Sequence, residues 1–370
     1  MKILYNHQIF HLKYGGIVRY HIELANNIAF YKNKEATIKI NSPFFKTNYL
    51  RNINQNILFN GIKVPDFKGS GRFCLIMNSI LSPILSPILS KHYEPSIIHN
   101  TYYNVVKYNA KRAKKVITVH DMIHEILPDH FQNKDKTTEL KKFAVAEADH
   151  IICVSKNTQK DLIKFFNVDI KKTSVIYLGF SLDTNKIKDL KKIRRPYLLY
   201  VGSRIGHKNF TRFIEAYSNS KIKNFFDLII FGGNKLNDKE ISLFNRLQIP
   251  KENFKQVNGD DSMLASYYKH ASLFVYPSLY EGFGIPPLEA MNYGCPVVCS
   301  NTGSIPEIVG DAAFLFDPYS VESIKNNIIS VLYDNKLRSL LRLKGFKRVK
   351  KFSWQKCAKE TYKVYEELLR

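Results

Sequence analysis

The sequence predicts an α/β protein of two consecutive doubly wound units. Three observations carry this. Short apolar runs of strand length alternate with helix-length stretches, the rhythm of βαβ units on a parallel sheet. The rhythm breaks once, in a polar, Lys-rich stretch between Ser181 and Arg195 that Pro196 closes, and then restarts. The chain has 370 residues, enough for two domains of ordinary size.

Taken in order, the first run is Lys2 to Tyr5. A loop with Gly15-Gly16 follows, then a helical pattern from Ile17 to about Phe30. Ile97-Ile98, Val116 to Val119 and His150 to Val154 repeat the theme. After Pro196, strands are expected at Tyr197 to Val201, Asp227 to Phe231, Leu273 to Tyr276 and Pro296 to Cys299. The expected units are 1–185 and 196–353, with a C-terminal helix over 354–370 returning to the first. A cleft between the two is the expected ligand site, because such sheets bind at the carboxyl ends of their strands. Ser-Pro-Ile-Leu occurs twice between Ser79 and Ser90. Pro83 and Pro87 are expected to interrupt any long helix there. The segment reads as a packed local duplication or as an exposed apolar loop touching lipid.

Hydrophobic residues make up 45%, so a core can be built. The net charge is +24. Much of it reflects a chain rich in Lys, Asn and Ile. The summed field also suits an anionic membrane surface or nucleic acid. Lysines are spread along the chain, with short clusters such as Lys111 to Lys115 and Lys347 to Lys351. No zinc-finger spacing, basic zipper or stacking signature accompanies them, so nucleic acid is not the expected partner. Five cysteines, an odd number without metal-type pairing, suggest a reducing, cytoplasmic setting. No apolar leader or run of about 18 apolar residues is seen.

The chemistry concentrates in Val275 to Pro318. A strand ends near Tyr276, a loop with Gly282 and Gly284 follows, and Pro286-Pro287 suit the first turn of a helix. Such a junction offers free N–H groups and a positive dipole end to phosphate. Glu281 lies in the loop and Glu289 near the helix start, beside the same mouth. Carboxylates accept hydrogen bonds from vicinal hydroxyls. Glu289 serves equally as a first-turn residue complementing the dipole. Ser304-x-x-Glu307 fits a capping box, and Asp260-Asp261 reads as a helix cap.

This segment resembles glycosyltransferase family 4, whose members have the GT-B fold of two Rossmann-like domains. Tyr280-Glu281-Gly282-Phe283-Gly284, Glu289-Ala290 and Ser304-Ile305-Pro306-Glu307 carry the resemblance. It implies that Glu281 contacts hydroxyls of the donor sugar and that Glu289 holds the ribose. Backbone amides from Phe283 through Gly284, Ile285 and Leu288 are then expected on the diphosphate, with Thr302 close to the donor. Arg204 and Lys208, after the strand Tyr200-Val201, resemble the family's pair that neutralises a departing nucleoside diphosphate without an obligatory metal. Val119-His120-Asp121 places His120 near the transferred sugar; Asp121 reads as a turn cap. Gly15-Gly16-Ile17-Val18-Arg19-Tyr20 resembles the N-terminal glycine-rich loop, with Gly16 approaching the ligand.

The resemblance implies a first domain for the acceptor and a second for the nucleotide sugar. It points toward bacterial mannosyl- and rhamnosyltransferases of lipopolysaccharide, O-antigen or capsule assembly. The expectation is retaining transfer from a nucleotide-diphosphate sugar, GDP-mannose first, to a glycan or lipid-linked acceptor. No metal, no other cofactor and no nucleic-acid partner are expected. A peripheral position on an anionic inner membrane face is a further expectation. The rival readings are a sucrose- or trehalose-synthase-like enzyme and a basic nucleic-acid-binding protein.

Overall fold

The computed structural model describes residues 1–32, 35–103, 112–131, 135–181, 187, 193 and 195–370, with 52 and 82–92 by backbone alone. The expected break between Ser181 and Arg195, and Lys111 of the basic cluster, fall largely outside them.

The chain forms two compact units, Met1–Gly179 with Ser353–Arg370, and Phe180–Phe352. In the first, β1 (Lys2–Tyr5) leads to α1 (Gly16–Tyr31), β2 (Thr37–Ile40), β3 (Phe44–Phe45), β4 (Ile57–Phe59), β5 (Ile62–Lys63) and α2 (Ser70–His92). Then come β6 (Ile97–Asn100), β7 (Lys114–Val119), α3 (Ile123–Ile126), α4 (Thr137–Ala146), β8 (His150–Cys153), α5 (Lys156–Phe166) and β9 (Thr173–Val175). The second unit starts with β10 (Tyr197–Val201), α6 (Phe210–Ser218), β11 (Asp227–Phe231), α7 (Asp238–Arg246), β12 (Phe254–Val257) and α8 (Asp261–His270). It continues through β13 (Leu273–Tyr276), α9 (Ile285–Asn292), β14 (Val297–Ser300), α10 (Ile305–Val309), β15 (Phe314–Phe316), α11 (Val321–Tyr333) and α12 (Asn335–Val349). The chain ends in α13 (Trp354–Leu368), which packs on α1.

Each unit is built on one large parallel sheet. The orders are β4-β2-β1-β6-β7-β8-β9 and β12-β11-β10-β13-β14-β15. Both sheets reverse direction of growth beside their first strand, the topology of a doubly wound fold. The central strands are continuous apolar runs because helices cover both faces. All four residues of β13 and all four of β14 are buried. Sequence patterning overlooked β3 and β5 of a separate two-stranded sheet, β2, and the edge strands of the large sheets, β4, β9, β12 and β15. They are two to four residues long and only partly buried, too short for a pattern to mark them.

Helix α2 corrects the expected interruption. It runs as one 23-residue helix from Ser70 to His92, through Pro83 and Pro87. Proline fixes φ near the helical value, so its cost is a missing hydrogen bond and a local clash, not an obligatory stop. No helix among the described residues is long and apolar enough to cross a membrane. At the junction with α13, Gly179 lies so close to Ser353 and Trp354 that an added Cβ would come within 2.2 Å of the Trp354 nitrogen. Only glycine permits that approach.

Candidate functional site

In the second unit, β13 delivers the chain to a loop ending at Gly284. Its φ of 96° lies in the left-handed region that favours glycine. Gly284 is the N-cap of α9, Ile285 the first helical residue, and the two prolines follow where an N–H is dispensable. Phe283 and Leu288 are buried, 4% and 0% exposed. Their side chains belong to the core, so only their backbones are left to meet a ligand.

Glu281 and Glu289 are 9% and 7% exposed and are held differently. Lys208 Nζ donates to Glu281 Oε1 at 2.6 Å. Burial pushes the Glu281 carboxyl up, but the Lys208 charge and hydrogen bond outweigh it, and the group titrates below its ordinary value. Glu289 Oε2 accepts from Tyr268 Oη at 3.2 Å. Glu289 is the fifth residue of α9, beyond the first turn. The helix dipole has fallen off by there, which corrects the reading of Glu289 as a first-turn complement.

Lys208 is placed by a short 3-10 turn, Gly206–Lys208, ended by Asn209 at φ 56°. Asn209 Nδ2 donates to the carbonyls of Pro277 (3.0 Å) and Pro318 (2.7 Å). The Leu279 amide donates to the His207 carbonyl at 2.7 Å. The turn is therefore pinned to the loop that carries Glu281.

Arg204 and Lys208 were expected to converge on one anion, and the structure divides them. Arg204 Nε donates to Glu240 Oε1 at 2.5 Å, and Nη2 donates to the Asn234 carbonyl at 2.7 Å. Its side chain is only 5% exposed. The guanidinium fork matches a carboxylate bidentately, and Glu240 at the start of α7 supplies one that nothing in the local sequence announces.

Ser304 corrects the expected capping box. It makes no side-chain cap to α10. Its hydroxyl instead points to the carbonyls of Glu281 and Phe283, both at 2.9 Å. A Cβ on Gly303 would lie 3.1 Å from the Glu281 backbone. The 302–304 turn thus clamps the glutamate loop. Beside it, Thr302 Oγ1 is buried without a hydrogen-bond partner among the described residues. Asp260 does cap its helix, accepting from the Met263 amide at 2.9 Å.

In the first unit, His120 follows β7. Its amide donates to Tyr103 Oη at 3.4 Å, and its Nε2 is buried without a partner among the described residues. Burial pushes the imidazole down to about 4, so it is neutral at pH 7. Asp121 Oδ1 accepts from the Ile123 amide at 3.1 Å, a turn cap. Gly15 caps α1 at φ 147°, and Gly16 is its first residue. Nothing lies within 4 Å of a Cβ added to either. Internal packing therefore does not require these glycines; they leave the helix start open.

Patterning missed Lys141. Its side chain is fully buried, and Nζ donates to Glu125 Oε2 at 2.7 Å and to the Asp121 carbonyl at 3.0 Å. It braces the His120-Asp121 turn. The available signal was helical spacing, which places Lys141 on the same face of α4 as Ala144 and Val145.

Two doubly wound parallel sheets, with a glutamate loop opening onto a proline-started helix, define a GT-B glycosyltransferase. The chain belongs to glycosyltransferase family 4. The model described as Glycosyltransferase Family 4 matches residues 41–184, and the model described as Glycosyl transferases group 1 matches 183–348. An O-antigen chain mannosyltransferase B of Escherichia coli is 28% identical, with 100% of both chains covered. An uncharacterized glycosyltransferase of Methanocaldococcus jannaschii is 30% identical over 68% of each chain. Among solved structures, Anabaena HepE in complex with UDP and glucose superposes with a TM-score of 0.74 at 20% identity, covering 99% of this chain and 100% of that one.

Proposed function

We propose that the protein transfers mannose from GDP-mannose, with retention at the anomeric carbon, to a glycan or lipid-linked acceptor in surface-polysaccharide assembly. The observation that carries the reading is the Lys208–Glu281 pair at the mouth of α9, with Glu289 buried on that helix. One cation and one carboxylate stand where a leaving diphosphate and a sugar hydroxyl would be met by the free amides of the helix start. The name of the full-length Escherichia coli relative supports mannose and an O-antigen acceptor. The UDP and glucose bound to HepE support a nucleotide-sugar donor.

In this reading Glu281 grips donor-sugar hydroxyls and Glu289 the ribose. Backbone amides from Phe283 to Leu288 take the diphosphate, and the orphaned Thr302 hydroxyl reaches the donor. Lys208 neutralises the leaving group at first hand; Arg204 does so only by releasing Glu240. His120 is assigned to the transferred sugar, and Gly16 to a close backbone approach to the ligand. No residue is assigned as a covalent nucleophile, and the leaving phosphate assists deprotonation of the acceptor on the same face.

A thermal-shift screen of nucleotide sugars tests the donor. A ligand at a hundredfold its Kd stabilises a fold by about 2.7 kcal/mol, so GDP-mannose is expected to raise Tm by several degrees. A larger shift with a UDP-sugar reassigns the base. No shift with any nucleotide sugar removes the site assignment.

The +24 charge also supports a peripheral station on an anionic cytoplasmic leaflet, near a lipid-linked acceptor. Flotation with anionic vesicles is expected to recover more protein than with zwitterionic ones at low salt. Equal recovery from both counts against it.

A further inference from the structure

The role proposed for His120 leaves open what holds its ring. Its Nε2 makes no hydrogen bond to the described residues, so that nitrogen does not anchor the rotamer. Among the described residues, the ring contact to the imidazole with the shortest centroid distance is Tyr20, at 5.0 Å between centroids and 81° between planes, an edge-to-face contact. His21 lies farther off, at 6.0 Å.

Tyr20 itself cannot swing freely. It is 1% exposed, and its hydroxyl meets Thr118 Oγ1 at 2.9 Å. Thr118 Oγ1 also meets His99 Nε2 at 2.9 Å, and His99 Nδ1 meets Tyr365 Oη at 2.6 Å. Tyr365 lies on α13, and its hydroxyl continues to Tyr5 Oη at 3.3 Å. Two donor orders satisfy the chain: Tyr365 donates to Nδ1, His99 Nε2–H to Thr118 and Thr118 to Tyr20, or every one of these bonds is reversed with the proton on Nδ1. Both orders need a neutral His99, and burial keeps it so by pushing the imidazole down to about 3. A phenylalanine would fill the same space; the phenol adds a fixed direction. Tyr20 also stands one turn after Gly16, so the glycine-rich start of α1 and the His120 turn meet through this ring.

We infer that Tyr20 is a positioning residue. Its ring, locked through Thr118 and His99 to the C-terminal helix, holds the His120 imidazole in its working rotamer. The inference rests on the proposed role of His120 at the transferred sugar.

The test uses the full chain with selectively labelled histidines and four variants: Tyr20→Leu, Tyr20→Phe, His120→Ala and the Tyr20→Leu/His120→Ala double. The His120 ring resonance is assigned by its loss in His120→Ala. Tyr20→Leu is expected to remove its ring-current shift and broaden it. In GDP-mannose turnover per folded molecule, Tyr20→Leu is expected to lower kcat on the order of tenfold, since misplacement of a reacting group is costly. The donor KM should move less than about twofold. Tyr20→Phe, which keeps the ring and should fold, is expected to act in the same direction and more weakly. In the His120→Ala background, Tyr20→Leu should cost nothing further. An unmoved His120 resonance in both Tyr20 variants, or a full additive loss in the double, overturns the positioning role while leaving His120 in place. Normal kcat in His120→Ala overturns the role of His120 and this inference with it.

Discussion

Lys208→Ala is expected to lower turnover on the order of 10²- to 10³-fold, the scale seen when a preorganised electrostatic donor is removed. The structure sharpens this expectation and supplies its control. Lys208 bonds Glu281 directly at 2.6 Å, so the substitution also strands a carboxylate that is 9% exposed. An unpaired buried acceptor costs roughly 1–3 kcal/mol, and a charged one more. A fall in Tm therefore accompanies the loss of turnover. The double variant Lys208→Ala/Glu281→Gln isolates the stability effect, because it removes the stranded charge. Its Tm should recover toward wild type, while its turnover stays low through the loss of both side chains.

The pair also has a pH signature. The folded-state Glu281 carboxyl lies below its ordinary value. Its stabilising contribution is therefore complete above the unfolded value and is lost as pH falls through the folded one. In Lys208→Ala the largest influence opposing burial is lost, so the carboxyl should titrate higher and stability should begin to fall at a higher pH. Because Lys208 is assigned the neutralising role, wild-type activity should survive EDTA. Complete loss with EDTA, restored by manganese, sinks the assignment, as does normal turnover in Lys208→Ala.

The two glutamates are expected to fail in different ways. Glu289 touches the donor equally in ground and transition states if it holds the ribose. Glu289→Gln should then weaken donor binding by roughly 1–3 kcal/mol with little change in kcat. If Glu281 grips the donor sugar, it stands beside the positive charge that develops at the anomeric carbon. Glu281→Gln should lower kcat by on the order of 10²-fold, more than it lowers affinity. Each residue also has a structural partner, Tyr268 for Glu289 and Lys208 for Glu281. Tm must therefore be measured beside donor affinity and turnover. Variants that melt early yet bind and turn over normally per folded molecule would take both residues out of the active site.

Much of the architecture was legible in the chain. Continuous apolar runs such as Leu273 to Tyr276 mark central parallel strands because both their faces are covered. Gly284 and Pro286-Pro287 mark the start of α9, because positive φ and a dispensable N–H are properties of single residues. Edge strands such as β4 and β15 were not legible, since a half-covered strand of three residues carries no pattern long enough to read.

What the sequence by itself determined is thus the part governed by local rules: the alternation of elements, the helix starts, and which residues crowd one loop. Tertiary structure alone decided who pairs with whom. Arg204 takes Glu240, 36 residues away, and Lys208 takes Glu281, 73 residues away. Ser304 clamps the Glu281 carbonyl in place of its own helix. Lys141, one of many lysines by composition, is drawn inside by Glu125 and the Asp121 carbonyl. The physical reason is common to all four. A buried polar group must find a partner, and several local candidates are always available in a charged sequence. Only the packed fold determines which of them comes within about 3 Å.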